Sequence, residues 1–449
     1  MPFVRVPAAE RAVGGQRYGL LPSRRPPLTD TRHALPLLST PGKIPATWCA
    51  VEIMDNTATT RHRILVIGGG NGGLSIAGRL RRGGISDVAV IEPRDQHVFA
   101  PLQSHIAGGI ARASEAVRPQ GDVTPKGVRW IRDRATHVDP HAHAVTLSSG
   151  DVVTYEHLII TAGLETRYDG VPGLDAAMNR PSGVSSYTFE LAQKASPALR
   201  DVRGGTVVFV QQPEPASAAG VAQKPMYLAC DWWRSQGRLD GIRVVFVSPE
   251  PSAFSVPAIS DELQRKLDEY GIETHFSSDV REVRDGSITI GRGDRSETIE
   301  YDLLHAAPPQ APPAWIADSG LADDDGFVDV DPRTLRSRTF DGVWALGDAA
   351  SVDTLRSGGA IRMQAKALAR NLRAVLDGQE PRRHYDGYTV CPITVSRRTV
   401  VFAEFDGHGR LAPSIPGFAS LYRESRISYV FDRHILPWVY WHLIVQGRA

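Results

Sequence analysis

Six consecutive residues, Gly68-Gly69-Gly70-Asn71-Gly72-Gly73, place glycine at the first, third and sixth positions of a turn. That spacing suits the binding of a pyrophosphate. Gly68 permits a tight bend, Gly70 lets the main chain approach phosphates with no Cβ in the way, and Gly73 lets a helix pack closely on a strand. A helix opening at Asn71 would add free N–H groups and the positive end of its dipole. Glu92 follows nineteen residues after Gly73. A carboxylate there accepts hydrogen bonds from the 2′- and 3′-hydroxyls of a ribose and repels a 2′-phosphate. Together these residues read as a dinucleotide site.

The elements needed to position them are legible on either side. His62–Ile67 is a buried-type strand of branched residues, Leu74–Arg82 has helical spacing, and Asp87–Ile91 is the next strand. Strand, turn, helix and strand make the opening of a doubly wound α/β fold. Tyr155–Thr161 is a further buried strand. Arg203–Gln211 and Ile242–Ser248 read as strands of a second α/β unit, with a helix around Lys224–Ser235 between them and an amphipathic helix at Asp261–Glu269. Val343–Leu346 is a short strand, Ala360–Leu376 a helix and Thr399–Phe405 a strand. Leu303–Pro313 is Pro-rich and reads as a crossing between domains.

Two later turns distinguish among dinucleotides. Thr161-Ala162-Gly163 ends an apolar strand with small residues that let the chain pass a cofactor. Gly347-Asp348 ends another strand shortly before a helix, where the aspartate can hold a ribityl chain. In this order the three motifs resemble the two-domain flavoprotein superfamily that includes glutathione reductase-like enzymes and type II NADH dehydrogenases. The chain resembles more closely the sulfide:quinone oxidoreductases of the mitochondrial-like type. The blocks IEPRDQHVFAPL, GVRWIRDRATHVDP, AQKPMYL, HAAPPQAPP, GFVDVDPRTLRSRTFDGVWALGD, YDGYTVCPITVSRRTVVFAEFD and ILPWVYW carry that resemblance between residue 62 and about residue 444.

The resemblance implies FAD as cofactor, a quinone as electron acceptor and two Rossmann-like domains, the second inserted in the first. Residues 61–165 plus 301–380 would hold FAD, 166–300 would form the second domain, and 381–449 would face the membrane and quinone. Residues 1–60 would stand apart. The cofactor contacts would come from Gly68, Gly69, Gly70, Asn71, Gly72, Gly73, Glu92, Ala135, Ala162, Gly163, Gly347 and Asp348. The helix opening near Ser357 would aim its N-terminus at the flavin and stabilise an anionic reduced form.

The departures from the family matter as much. Members use two cysteines beside the flavin, and here those positions read Ala218 and Ala349. Sulfide oxidation by thiol–disulfide exchange needs a thiolate nucleophile and a second sulfur, and alanine provides neither. A family lysine is replaced by Arg356. Lys224 matches a lysine near the flavin and is a candidate for stabilising anions there, a solvated surface position being the alternative. Cys391 matches a family cysteine outside the reactive pair, and Cys230 reads as a small buried residue. The expectation is therefore electron transfer from a small-molecule donor to quinone, with sulfide oxidation absent or very weak. One alternative is an NAD(P)H dehydrogenase-like flavoenzyme. Against it, Gln212-Pro213-Glu214-Pro215 replaces a glycine turn after the strand TVVFVQ, and proline removes N–H donors. Another alternative is a flavin-binding protein that no longer turns over.

Composition narrows the remaining classes. A formal net charge of +1 over 449 residues makes no electrostatic case for nucleic acid. Three cysteines without C-x-x-C exclude a disulfide scaffold, and the histidines show no metal-ligand spacing, so no metal is expected. No apolar run is long enough to span a bilayer, but the aromatic ILPWVYWHLIV suits peripheral membrane contact, with a domain- or dimer-packing helix as the alternative. A homo-oligomer is left open. Residues 1–50 hold six Arg and one Lys against Glu10 and Asp30, and eight prolines. They read as a tail, as sequence upstream of a start at Met54, or as an organelle transit segment. The expected location is the cytoplasmic side of a membrane, or an organelle in the last case.

Overall fold

The structure is a computed structural model that describes residues 59–449 except 212–214, 216–219, 221 and 414–420. Ala218 and the proline-bearing residues 212–214 therefore lie outside the described residues, as does nearly all of the N-terminal extension. The elements that bear on the site are, in chain order, β1 (Thr59–Ile67), α1 (Asn71–Arg82), β2 (Val88–Ile91), α2 (Pro101–Ala107), β3 (Val152–Ile160), β4 (Gly205–Val210), α3 (Gln223–Ser235), β5 (Ile242–Val247), β6 (Leu303–Ala306), β7 (Val343–Ala345), α4 (Gly358–Leu376), β8 (Thr389–Ser396) and β9 (Thr399–Phe405).

The branched run Ile64-Leu65-Val66-Ile67 is buried on both faces, as the centre of a parallel sheet requires. β1 lies between β2 and β3, and β7 pairs with the far side of β3, all parallel. Arg129–Ile131 extends the sheet beyond β2. Register aligns the strand ends: Ile67 is opposite Ile91 and Ile160, and Ile160 is opposite Ala345. The turns beginning at Gly68, Glu92, Thr161 and Leu346 therefore leave one common edge, the carboxyl edge where open α/β sheets bind ligands.

β4, β5 and β6 belong to a second parallel sheet, with Gly183–Val184 and Glu273–His275 at its edges. All of it falls in sequence between β3 and β7, so the second α/β unit is inserted in the first. The boundary at residue 301 is too early. Leu303–Ala306 pairs with β4 and belongs to the inserted sheet, so the chain crosses back only after Ala306. Its four residues are all buried, and β4 offers them a main-chain partner along its whole length.

β8 and β9 form an antiparallel hairpin. After it, α and π turns alternate from Arg426 to Ile444. Tyr440, Trp441 and Val445 are buried in a core shared with α2, α3 and β8–β9. The other face leaves Ile427, Val430, Ile435 and Trp438 exposed. No described helix is long and apolar enough to cross a membrane.

Candidate cofactor and electron-transfer site

Gly68 turns with φ +99°, and a Cβ there would lie 2.5 Å from the Thr161 carbonyl oxygen. The Thr161 hydroxyl donates to the carbonyls of Ile67 and Gly68 at 2.8 and 2.9 Å, which ties this turn to the end of β3. A Cβ on Gly73 would lie 1.8 Å from the Gly68 oxygen, so only glycine lets α1 start this close to the turn. Gly70 differs: a Cβ there would meet nothing within 4 Å. Its open face, and the absence of a side-chain cap at the start of α1, leave room and free N–H groups for an anion. Gly72 packs against Leu346, and a Cβ on Gly358 would lie 3.4 Å from Asn71 Nδ2. The N-termini of α1 and α4 therefore converge. Asn71 Oδ1 is buried there without a hydrogen-bond partner. Ser357 caps α4 by accepting from the Ala360 N–H at 3.0 Å.

Glu92 is 2% exposed. Its Oε2 accepts from the Gly69 N–H at 2.8 Å, and Oε1 accepts from the Arg94 N–H and Nε at 3.0 and 2.8 Å. Burial pushes the carboxyl pKa up, but the Arg94 hydrogen bonds and charge and the Gly69 N–H outweigh it and hold it below the usual range. Arg94 was not singled out from the sequence. Nor were His97 and Gln120, which brace the turn from below: Gln120 donates to the Gly69 carbonyl at 3.0 Å, and His97 Nδ1 lies 3.1 Å from it. His97 Nε2 lies 2.6 Å from the Tyr440 hydroxyl, linking the glycine turn to the C-terminal segment. Burial pushes the His97 pKa down to about 4. No local pattern marks these residues, because their partners are far apart in sequence.

Gly163 (φ +72°) has open space where a Cβ would sit, beside half-buried Ala162. Gly347 donates its N–H to Gln364 on α4 at 2.8 Å. Asp348 lines a small hollow with Thr354, Ser357 and Gln364. Arg356 donates from Nε to the Asp348 carbonyl at 3.1 Å and stacks over Phe327. Ala349 is fully buried in the hydrophobic core formed around β1, β2, β3, β7 and α4. Ala135 follows the outermost parallel strand, Arg129–Ile131. It opens the antiparallel strand Ala135–Asp139, pairs with Leu147 and is buried in the core, four residues after Ile131, whose strand end lies opposite Ile91.

Two hollows flank β9. A cavity of about 320 Å³, mostly apolar, runs from Asn71, Gly358 and Gly359 past Lys224 to Phe99, Phe402, Val439 and Tyr440. Lys224 is 4% exposed, which rules out the solvated alternative. Its charge, after those of burial and the closer His105, contributes to a lowered pKa at buried Asp432: burial pushes that carboxyl up, and His105 and Lys224 more than compensate. Across the strand, Phe405 lines an open cleft of about 910 Å³ with Glu250, Asp323, Arg338, Asp353 and Arg356. Cys230 and Cys391 are both buried, and burial pushes both thiols up, away from thiolate chemistry. Among the described residues no group of His, Cys, Asp and Glu is placed to hold a metal.

A glycine turn, a buried acid and two converging helix starts on one carboxyl edge, with a second parallel sheet inserted, define a dinucleotide-dependent oxidoreductase. The chain belongs to the pyridine nucleotide-disulphide oxidoreductase family, whose model matches residues 62–370. Within it the chain is a relative of the sulfide:quinone oxidoreductases. It is 31% identical to the mitochondrial sulfide:quinone oxidoreductase of Dictyostelium discoideum over 86% of each chain. It is 30% identical to that of Mus musculus, over 87% of this chain and 88% of the mouse protein. The crystal structure of the sulfide:quinone oxidoreductase from Aquifex aeolicus has the same fold, with a TM-score of 0.72 at 19% identity, covering 86% of this chain and 92% of that one. The chain is a FAD-dependent oxidoreductase. The open face of Gly70, the uncapped start of α1 and the unpartnered Asn71 Oδ1 fit that cofactor.

Proposed function

We propose that the chain passes electrons from a small-molecule donor through FAD to a quinone at a membrane surface, and that it has lost the sulfide chemistry of its relatives. One observation supports this above the others. The apolar cavity begins at the two converging helix starts and ends under the C-terminal segment, whose outer face exposes Ile427, Val430, Ile435 and Trp438. A hydrophobic quinone entering from the membrane would reach the cofactor without crossing water.

In this reading Gly68, Gly69, Gly70, Asn71, Gly72 and Gly73 hold the pyrophosphate of FAD. Glu92 and Arg94 flank the adenosine ribose. Ala162 and Gly163 let the chain pass the cofactor, and Gly347 and Asp348 hold its ribityl chain. The bound flavin supplies two-electron redox chemistry. The protein orients it, excludes water and provides positive potential from the α4 N-terminus and Lys224. The assignment of Ala135 to the cofactor rests on the resemblance alone. Residues 61–165 with about 307–380 form the FAD-binding part, 166–306 the inserted part and 381–449 the quinone and membrane part. The protein lies peripheral to a membrane on its cytoplasmic side, or within an organelle where residues 1–60 act as a transit segment. The polar cleft on the other side of β9 receives the donor, and the positions where the family has thiols read Ala218 and Ala349 in this sequence.

The test is to purify the protein with bound flavin and to follow flavin bleaching by sulfide, NADH and thiols, with a soluble quinone as acceptor. Sulfide should give little or no quinone reduction, and the double variant Ala218→Cys/Ala349→Cys should give more. Fast sulfide-dependent quinone reduction by the unsubstituted protein would contradict the loss of sulfide chemistry. Failure of the reduced protein to reoxidise with any quinone would contradict the acceptor.

A further inference from the structure

The apolar cavity contains a carboxyl group that its lining does not explain. Glu404 lies on β9, is 3% exposed, and faces the cavity while its neighbour Phe405 faces the open cleft. Its Oε1 accepts a hydrogen bond from the Tyr388 hydroxyl. Its Oε2 is buried and has no hydrogen-bond partner. Buried polar atoms in native proteins are nearly always paired, and an exception on the wall of a cavity is completed by what enters the cavity.

The other ionisable groups on this wall are Tyr388 on β8, Arg362 on α4, Lys224 on α3, His105 on α2, and Asp432 and Tyr440 of the C-terminal segment. They are differently engaged. His105 Nε2 lies 2.8 Å from the Thr394 hydroxyl and 3.4 Å from Asp432 Oδ2. Its Nε2 is committed to that pair. Lys224 and Arg362 are cations that attract a developing anion. Glu404 is the carboxyl group with one oxygen held and the other bare.

We propose that Glu404 is the proton donor to the quinone in this cavity, with Tyr388 as its positioning residue. The proposal rests on the reading of the cavity as the quinone site. Conversion of a quinone to a quinol adds two electrons and two protons. The electron pair and one proton would be supplied by the bound reduced flavin. The second proton comes from Glu404: its Oε2–H bond breaks, a quinone O–H bond forms, and the carboxylate regains a proton from water once the quinol leaves. Tyr388 holds Oε1 and so fixes the orientation of the carboxyl group on the cavity wall, which is how a positioned acid gains its rate advantage.

The test uses FAD-loaded wild type and Glu404→Gln, reduced with dithionite and mixed with a short-chain ubiquinone. Reoxidation of Glu404→Gln should be roughly 100-fold slower, the scale of one general acid, with Glu404→Asp recovering part of the loss. A second readout needs no turnover: infrared difference spectra on binding a hydroxynaphthoquinone to the oxidised protein. The wild type should show a carboxylic C=O band gained or shifted, and Glu404→Gln should lack it. Wild-type reoxidation rates in Glu404→Gln, or a wild-type spectrum without the carboxyl change, overturn the proposal. If Glu404→Gln loses its FAD, Glu404→Asp decides instead: an unchanged reoxidation rate overturns the proposal. A wild type that binds neither quinone overturns the quinone-site reading itself, which keeps the two failures distinct.

Discussion

Gly70 and Gly73 stand three residues apart and are glycines for different reasons. At Gly73 the chain itself has no room, since a Cβ would overlap the Gly68 carbonyl. At Gly70 the chain leaves the space open, so the constraint comes from what binds there. Gly73→Ala should therefore destabilise the protein as well as empty it of FAD. Gly70→Ala should melt as the wild type does when both are stripped of flavin, yet retain much less FAD on purification. Flavin absorbance per protein together with melting of the apo forms separates the two, and full flavin content in Gly70→Ala would move the pyrophosphate elsewhere. Glu92 shows the limit of reading a residue alone. Its position after β2 is evident from spacing, whereas its engagement by Arg94 and Gly69 depends on how the turns meet.

Among the elements, the C-terminal helical segment carries the clearest division of labour. Its inner face places Tyr440 against Phe99, with ring centroids 4.0 Å apart, and brings the Tyr440 hydroxyl to His97. Its outer face exposes Ile427 at 72% and Trp438 at 56%, so these two contribute little to the fold. Burying each in a lipid interface is worth about 1.5–3 kcal/mol. The double variant Ile427→Ser/Trp438→Ser should bind phospholipid vesicles at least about 100-fold more weakly, by the same transfer energies, with its melting temperature unchanged. Vesicle co-sedimentation measures this. Equal binding would return the segment to the packing role that its aromatic run also allowed.

At the scale of the whole molecule, buried histidines set a lower pH limit. His97 braces the glycine turn, and His305 on β6 is enclosed with neither ring nitrogen hydrogen-bonded. Burial pushes both down to about 4, whereas the unfolded chain takes a proton near 6.5. Between those values the unfolded state binds more protons than the folded one. The stability contributed by the neutral rings is thus full above about pH 6.5 and is lost as pH falls towards 4, on the order of 3 kcal/mol per group. Urea unfolding at pH 7 and pH 5 should show this fall, and His305→Leu should flatten it. A slope unaltered by that substitution would place the effect in other groups. The core against which His97 packs, through Tyr440 and Trp441, also ties α2, α3, the β8–β9 hairpin and the C-terminal segment together, so acid loosening should release flavin as well as structure.

The sequence alone determined whatever depends on near neighbours. Branched runs made the strands, three spaced glycines made the turn at the start of α1, and an acid after β2 marked the ribose side. The family blocks named the cofactor. Two alanines in place of cysteines said which reaction to doubt. Only the tertiary structure decided how these pieces meet. Register across β2, β1, β3 and β7 brought four turns to one edge, and pairing with β4 moved the return crossing from residue 301 to beyond Ala306. Ala135, chosen by resemblance, proved to open an antiparallel strand shortly after Ile131, whose end lies opposite Ile91. Lys224 became a buried cavity residue, and Glu404, a charged position in a mostly apolar strand, became a carboxyl group with an unpaired oxygen. The reason is physical. Backbone preference and chain connectivity act over a few residues, but burial, register and the pairing of polar atoms are set by contacts between segments hundreds of residues apart.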